Sequence, residues 1–122
     1  MKILLVDDEP AVKLVLARRL TSEGFDVVTA QDGEEALEKV MTQKPDLILL
    51  DIMLPKMSGN AVAAKLHEQP ETAGIPVIFI TCLVNSSEAR AMGYASGNNQ
   101  IIGKPVESAE LIQLIRQQLK AA

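Results

Sequence analysis

The sequence predicts an α/β domain built on a parallel sheet with helices on both faces. Three observations carry this expectation. The runs 3–6 (ILLV), 47–50 (LILL) and 77–80 (VIFI) are apolar throughout, as strands buried on both faces are. Amphipathic stretches separate them, an order that gives parallel strands joined by crossover helices. Each run is followed at once by a polar or charged residue: Asp7, Asp51 and Thr81.

The elements follow in chain order. Residues 3–6 form the first strand. Pro10 suits the first turn of a helix that places Val12, Val15, Leu16 and Leu20 on one side, and Gly24 ends it. Residues 25–29 (FDVVT) are short and rich in β-formers. Gly33–Gln43 carries Ala36, Leu37, Val40 and Met41 at helical spacing. The run 47–50 is the next strand, 61–68 reads as helix, and 77–80 is strand again. Residues 82–100 contain Gly93, Gly97 and Asn98-Asn99, which predict a weak, mobile helix. Ile101-Ile102 is a brief strand. Ser108 can then cap a final helix with Leu111, Ile112, Ile115 and Leu119 on one face. No repeat, low-complexity stretch or interdomain linker interrupts this series, so residues 1–122 read as one domain.

Composition narrows the classes. With 122 residues, 48% of them hydrophobic, the chain can bury a core and is not of disordered type. A net charge of −4 without a basic run leaves no electrostatic footprint for nucleic acid. The single cysteine, Cys82, cannot form an internal disulfide, which fits a reducing cytosol. Residues 1–6 are too short for a signal peptide. No segment approaches the ~20 apolar residues of a membrane span. The expectation is a cytoplasmic domain with neither nucleic acid nor membrane as a partner.

The chemistry lies where the strands end. In open parallel sheets ligands bind beyond the carboxyl ends of the strands, and the residues there are Asp7, Asp8, Asp51, Thr81 and Lys104. They should gather at one edge. Adjacent carboxylates about 4 Å apart repel by roughly 4 kcal/mol at an effective dielectric of 20, so a cation is expected among them. An all-oxygen site suits magnesium, which keeps several waters and takes one or two carboxylates. Zinc is not indicated: there is no Cys/His ligand spacing, and the one histidine, His67, sits on a predicted surface helix. Asp51 can then act as a nucleophile toward phosphorus, giving an acyl phosphate. Magnesium, the Lys104 ammonium and the Thr81 hydroxyl would share the three equatorial oxygens. Lys104 is the only charged residue between Arg90 and Glu107.

Each residue alone has a plainer reading. Asp8 can be a helix cap ahead of Pro10, Asp51 a loop cap, Thr81 an ordinary strand-end threonine and Lys104 a solvated charge. Met53 and Cys82 read as packing residues. The coincidence argues otherwise, because every strand-like run except 25–29 ends near a group that phosphoryl transfer uses.

Together, Val6-Asp7-Asp8-Glu9-Pro10, Asp51-Ile52-Met53-Leu54-Pro55 with Gly59, Ile80-Thr81 and Lys104-Pro105 resemble the receiver domain of two-component response regulators, over essentially the whole chain. The resemblance implies a flavodoxin-like, doubly wound five-stranded sheet in the order 2-1-3-4-5. It implies Asp51 as phosphoacceptor, with Asp8, Asp51 and the Met53 backbone carbonyl on Mg²⁺ and Asp7 assisting through water. Thr81 and Lys104 would hold the phosphoryl group, and Lys104-Pro105 would be a cis peptide. The phosphodonor would be a histidine kinase or histidine phosphotransfer protein. Output would run through the helix expected within 82–100, the fifth strand and the last helix, and a phosphorylation-dependent dimer is compatible with the family. Such a domain is not an enzyme toward external substrates, although it catalyses its own phosphorylation and dephosphorylation.

Three departures from the family pattern stand out. Ile101 occupies the position of an aromatic switch residue that works with the residue matching Thr81. Isoleucine has no hydroxyl to alternate between buried and exposed states, and its χ1 is stiff. Gly103 and Val106 are milder departures. Met53 and Leu83, two positions beyond Asp51 and Thr81, cannot orient an attacking water by a strong hydrogen bond, so self-dephosphorylation should be slow.

Rival readings are weaker. An interaction module that signals without phosphorylation fits Ile101 but leaves the acid, threonine and lysine set unexplained. A flavin protein of the same architecture would meet repulsion between its phosphate and Asp7-Asp8-Glu9, and 2% aromatic residues offer little to stack on the ring. An aspartyl phosphatase would want an acid/base aspartate where Met53 stands.

Overall fold

The computed structural model describes residues 1–52, 54, 56–81, 99–103 and 108–121. Its strands are β1 (Lys2–Val6), β2 (Asp26–Ala30), β3 (Leu47–Asp51), β4 (Val77–Thr81) and β5 (Asn99–Gly103). The helices among the described residues are α1 (Pro10–Ser22), α2 (Gly33–Gln43), α3 (Gly59–His67), the short α4 (Pro70–Ala73) and α5 (Ser108–Ala121). All strand pairs are parallel, in the order β2-β1-β3-β4-β5. This is the expected flavodoxin-like winding.

The uniformly apolar runs have a simple cause: each strand faces two cores. Leu4, Val6, Ile48, Leu50, Val77 and Phe79 pack with Ala36 and Val40 of α2 and with Val62, Ala63 and Leu66 of α3. The alternate residues Ile3, Leu5, Leu47, Leu49, Ile78 and Ile80 pack with Leu16 and Leu20 of α1 and with Leu111, Ile112 and Ile115 of α5. The period-2 pleat thus sends neighbouring side chains to opposite layers. Burying each such Leu or Ile contributes ~1.5–3 kcal/mol relative to exposure.

Local signals fix the helix ends. Pro10 opens α1 at a position where the missing N–H costs no helical bond. Gly24, at φ +94°, takes the left-handed turn that closes it. Asp32 caps α2 by accepting the Glu35 N–H at 2.8 Å, and Ser58 caps α3 by accepting the Ala61 N–H at 3.2 Å. Along α2, the Lys39 ammonium donates to the Thr29 carbonyl of β2.

Several expectations need correction. Val15 is 63% exposed, not part of the buried side of α1. At 100° per residue it lies about 100° from the centre of the stripe through Val12, Leu16 and Leu20. Met41 is half exposed for the same reason, one step past the buried Gly33, Ala36 and Val40. Helix α3 starts at Gly59 rather than 61, because Ser58 supplies its cap. Pro70 nucleates α4, a single turn that the periodicity did not show. β2 is shifted by one residue, and β5 begins at Asn99. The helix expected within 82–100 otherwise lies outside the described residues.

Candidate functional site

Strand register brings the first-loop acids to the third-strand acid. In the β1–β3 pair, Val6 lies opposite Leu50. One step further along both strands are Asp7 and Asp51, and adjacent strands run only ~4.8 Å apart. Both residues follow the same pleat parity as Leu5 and Leu49. The turn is held by the Asp7 N–H, which donates to the Ala30 carbonyl at 3.1 Å, and by Asp7 Oδ1, which accepts the Glu9 N–H at 2.9 Å.

The result is a compact acidic centre. Carboxylate oxygens of Asp7, Asp8, Glu9 and Asp51 all lie within 4.8 Å of one another. Asp7 is 0% exposed and Asp51 4%, whereas Asp8 and Glu9 are exposed. Two acids therefore form a floor and two a mouth. At this separation each pair of charges repels by ~3.5 kcal/mol at an effective dielectric of 20. The donor set contains only carboxylate oxygen, and it fits a hard divalent cation with retained waters. Ligand oxygens around magnesium stand between ~3.0 and ~4.2 Å apart, given its ~2.1 Å bonds, a range that lies inside the 4.8 Å limit on the separations here.

The loop after Asp51 is drawn tightly back over it. The Gly59 N–H donates to the Ile52 carbonyl at 2.8 Å. A Cβ at position 59 would lie 2.5 Å from the Asp51 carbonyl oxygen and 2.9 Å from Ile52 Cα. Only glycine lets α3 begin so close to the acid-bearing strand. At the turn of this loop Lys56 adopts φ +69° and reaches Asp32 and Glu34, both at 3.6 Å. The Asp32 carboxyl is held below the usual carboxylate range, chiefly by the Glu35 N–H and, against the opposing effect of burial, by the Lys56 charge.

The other expected residues are placed by the sheet. Asp51 pairs with Ile80, and the Ile52 N–H donates to the Ile80 carbonyl at 3.2 Å. Thr81 is the last residue of β4 and pairs with Gly103, the last of β5, so both backbones end at the same edge as Asp51. Ile101 lies within β5, paired with Phe79. Met53, Lys104 and Pro105 lie outside the described residues. Glu9 was not singled out as a ligand from sequence; its signal was the unbroken run of three carboxylates before Pro10.

A family model, the response regulator receiver domain, matches residues 3–116. The chain belongs to this family. This receiver domain is 37% identical over 121 residues to the phosphate regulon transcriptional regulatory protein PhoB of Rhizobium meliloti, covering 99% of the chain and 53% of PhoB. It thus spans about half the length of that relative. The receiver domain of the Francisella response regulator 1452 superposes with a TM-score of 0.88 at 30% identity, covering 98% of this chain and 97% of that one. The receiver domain of the sensor histidine kinase PA1611 from Pseudomonas aeruginosa PAO1, solved with a magnesium ion coordinated in its active site cleft, gives 0.86 at 28% identity, with 98% and 97% covered. Phosphoryl acceptance and magnesium dependence characterise receiver domains, and their partners are histidine kinases and downstream effectors. Among the described residues, no helix of this receiver domain is long and apolar enough to cross a membrane.

Proposed function

We propose that Asp51 is the residue that accepts the phosphoryl group, from a histidine kinase or histidine phosphotransfer protein, and that Mg²⁺ is required. The observation that carries this is a nearly buried Asp51 at the end of β3 within 4.8 Å of three further carboxylates. Asp8 and Asp51, with the Met53 carbonyl, would hold the ion directly, and Asp7 through water. When bound, the magnesium ion supplies neutralising charge for the carboxylates and for a phosphoryl oxygen. The Asp51 carboxylate oxygen attacks phosphorus in line. The new O–P bond forms as the P–N bond of the phosphohistidine breaks, and the imidazole nitrogen keeps the electron pair. The Thr81 hydroxyl donates to one phosphoryl oxygen, and the Lys104 ammonium, next in sequence after Gly103, takes another. The shared end of β4 and β5 supports these two assignments.

The readout is a population shift between two arrangements of this edge. Ile101 replaces an aromatic side chain in that switch, so the change is transmitted by repacking and not by moving a hydroxyl. Output would use segment 82–98, β5 and α5. The domain is cytoplasmic in this reading and catalyses its own Mg²⁺-dependent phosphorylation and slow dephosphorylation, without an external substrate.

Incubation with acetyl phosphate and Mg²⁺, read by intact mass, tests the central assignment. The wild-type chain should gain one phosphoryl group, and neither Asp51→Asn nor wild type in excess EDTA should do so. Equal labelling of Asp51→Asn, or none in the wild type, overturns it.

A further inference from the structure

We infer that Lys56 is a positioning residue for the acidic centre: by bridging Asp32 and Glu34 it holds the loop after Asp51 in the form that takes Mg²⁺ and the phosphoryl group; this rests on the reading of the centre proposed above. The chain between Ile52 and Gly59 is fastened twice. At its root the Gly59 N–H donates to the Ile52 carbonyl at 2.8 Å. Further out, Lys56 takes φ +69°, a left-handed conformation that is unfavourable for lysine and persists where the surroundings enforce it. Those surroundings are acidic: Lys56 Nζ stands 3.6 Å from Asp32 Oδ2 and 3.6 Å from Glu34 Oε2. Beside this bridge Met57 packs against the start of α2, where a Cβ on Gly33 would lie 2.9 Å from Met57 Cβ. Asp32 follows β2, Lys56 follows β3, and β1 lies between those strands. The bridge therefore ties together the loops on either side of the strand that leads into Asp7.

Stability alone does not call for lysine here. Glycine takes φ +69° freely, and the ion pairs it would forfeit are exposed, a kind that adds little to a fold. A lysine that keeps the strained backbone and spans two acids answers a demand on loop placement. Released from Asp32 and Glu34, the loop has to be ordered when the ion and the phosphodonor arrive, and that cost is subtracted from binding. A bare charge effect has the opposite sign, because removing a cation from this edge strengthens binding of Mg²⁺. The direction of the change separates the two.

The experiment compares wild type with Lys56→Gln, Lys56→Arg, Asp32→Asn, the double variant Lys56→Gln/Asp32→Asn and, as a control cation in the last turn of α3, Lys65→Gln. Mg²⁺ dissociation constants are measured by calorimetry at low and at high salt, phosphorylation by acetyl phosphate is timed by intact mass, and urea midpoints are taken without metal. Lys56→Gln should weaken Mg²⁺ binding by about two- to ten-fold at low salt, the range that two exposed pairs can supply, and by less at high salt. Phosphorylation should slow to a similar degree, while the urea midpoint stays close to that of wild type. Lys56→Arg keeps the charge and should restore binding. Asp32→Asn keeps the α2 cap and should reproduce part of the loss, and the double variant should be no worse than Lys56→Gln alone. Binding by Lys56→Gln that equals or exceeds that of wild type overturns the inference. So does a weakening matched by Lys65→Gln, left unrestored by Lys56→Arg, or accompanied by a proportionate fall in the urea midpoint, which marks a purely structural residue. If the wild type itself binds no Mg²⁺, the reading of the whole centre falls, an outcome distinct from failure at Lys56 alone.

Discussion

Replacing Gly59 with alanine adds one methyl group at the point where α3 meets the acid-bearing strand. The added Cβ would stand 2.5 Å from the Asp51 carbonyl oxygen, 2.9 Å from Ile52 Cα and 3.1 Å from the Asp51 carbonyl carbon. All three are backbone atoms of a central region, so no side chain can swing aside. The first turn of α3 must move out instead, and the 2.8 Å bond from the Gly59 N–H to the Ile52 carbonyl lengthens or breaks. Overpacking of this kind costs ~1–3 kcal/mol, and the lost hydrogen bond adds ~1 kcal/mol. A total of about 2–4 kcal/mol is a large share of the ~5–15 kcal/mol that holds a typical domain. Urea unfolding followed by far-ultraviolet circular dichroism is the appropriate assay, since the chain has no tryptophan. With a slope of ~1–3 kcal/mol per molar, the midpoint should fall by roughly 1–2 M. Gly74→Ala is the matched control: that glycine has φ −86° and nothing within 4 Å of an added Cβ. It should be neutral or gain ~0.4–1 kcal/mol. Equal midpoints for the two variants would refute the close-approach argument.

Further outcomes follow from other contacts. Asp32 is held below its ordinary pKa in the folded protein, so its contribution to stability is present above the unfolded carboxylate value of ~3.9 and is lost as pH falls through the folded value. The melting-temperature difference between wild type and Asp32→Asn should therefore favour wild type near pH 7 and close below about pH 4; a constant difference counts against it. At Lys56, glycine would relieve a left-handed backbone worth ~1 kcal/mol and forfeit two exposed ion pairs worth ~0–1 kcal/mol each. Lys56→Gly should thus be nearly neutral in urea unfolding, and a large loss would show that the pairs weigh more than their exposure implies. Met53→Asn and Leu83→Glu each introduce a group able to orient water, so both should shorten the lifetime of the phosphorylated form in a timed mass or phosphate-release assay. Unchanged lifetimes would contradict the slow-hydrolysis reading.

How much of this was legible in the residues depends on the scale of the signal. The apolar runs at 3–6, 47–50 and 77–80 were plain because burial on two faces removes alternation, and their order of elements implied parallel pairing. Asp7 and Asp51 stand out by the rule that ligands sit beyond strand ends, and the register beyond Val6 and Leu50 explains why the two lie side by side. The exposure of Val15 and Met41 is not legible in the sequence, because helical spacing alone does not locate the centre of a buried stripe. The Lys56 contacts to Asp32 and Glu34 join residues more than twenty positions apart through a left-handed turn at lysine, which no local pattern announces. Gly59 belongs to the motif that follows Asp51, but its necessity appears only when the Asp51 carbonyl is seen against it.

The Lys39 ammonium on the Thr29 carbonyl has a consequence for how the domain meets its neighbours. Among the described residues, β2 has β1 on one flank and no strand paired on the other. The Ala30 carbonyl turns inward to the Asp7 N–H, so the Thr29 carbonyl, one residue back, turns outward. A foreign strand seeking to extend the sheet would need that acceptor, and a lysine from the overlying helix already occupies it. Strand addition along this flank would first have to displace the Lys39 ammonium from that carbonyl.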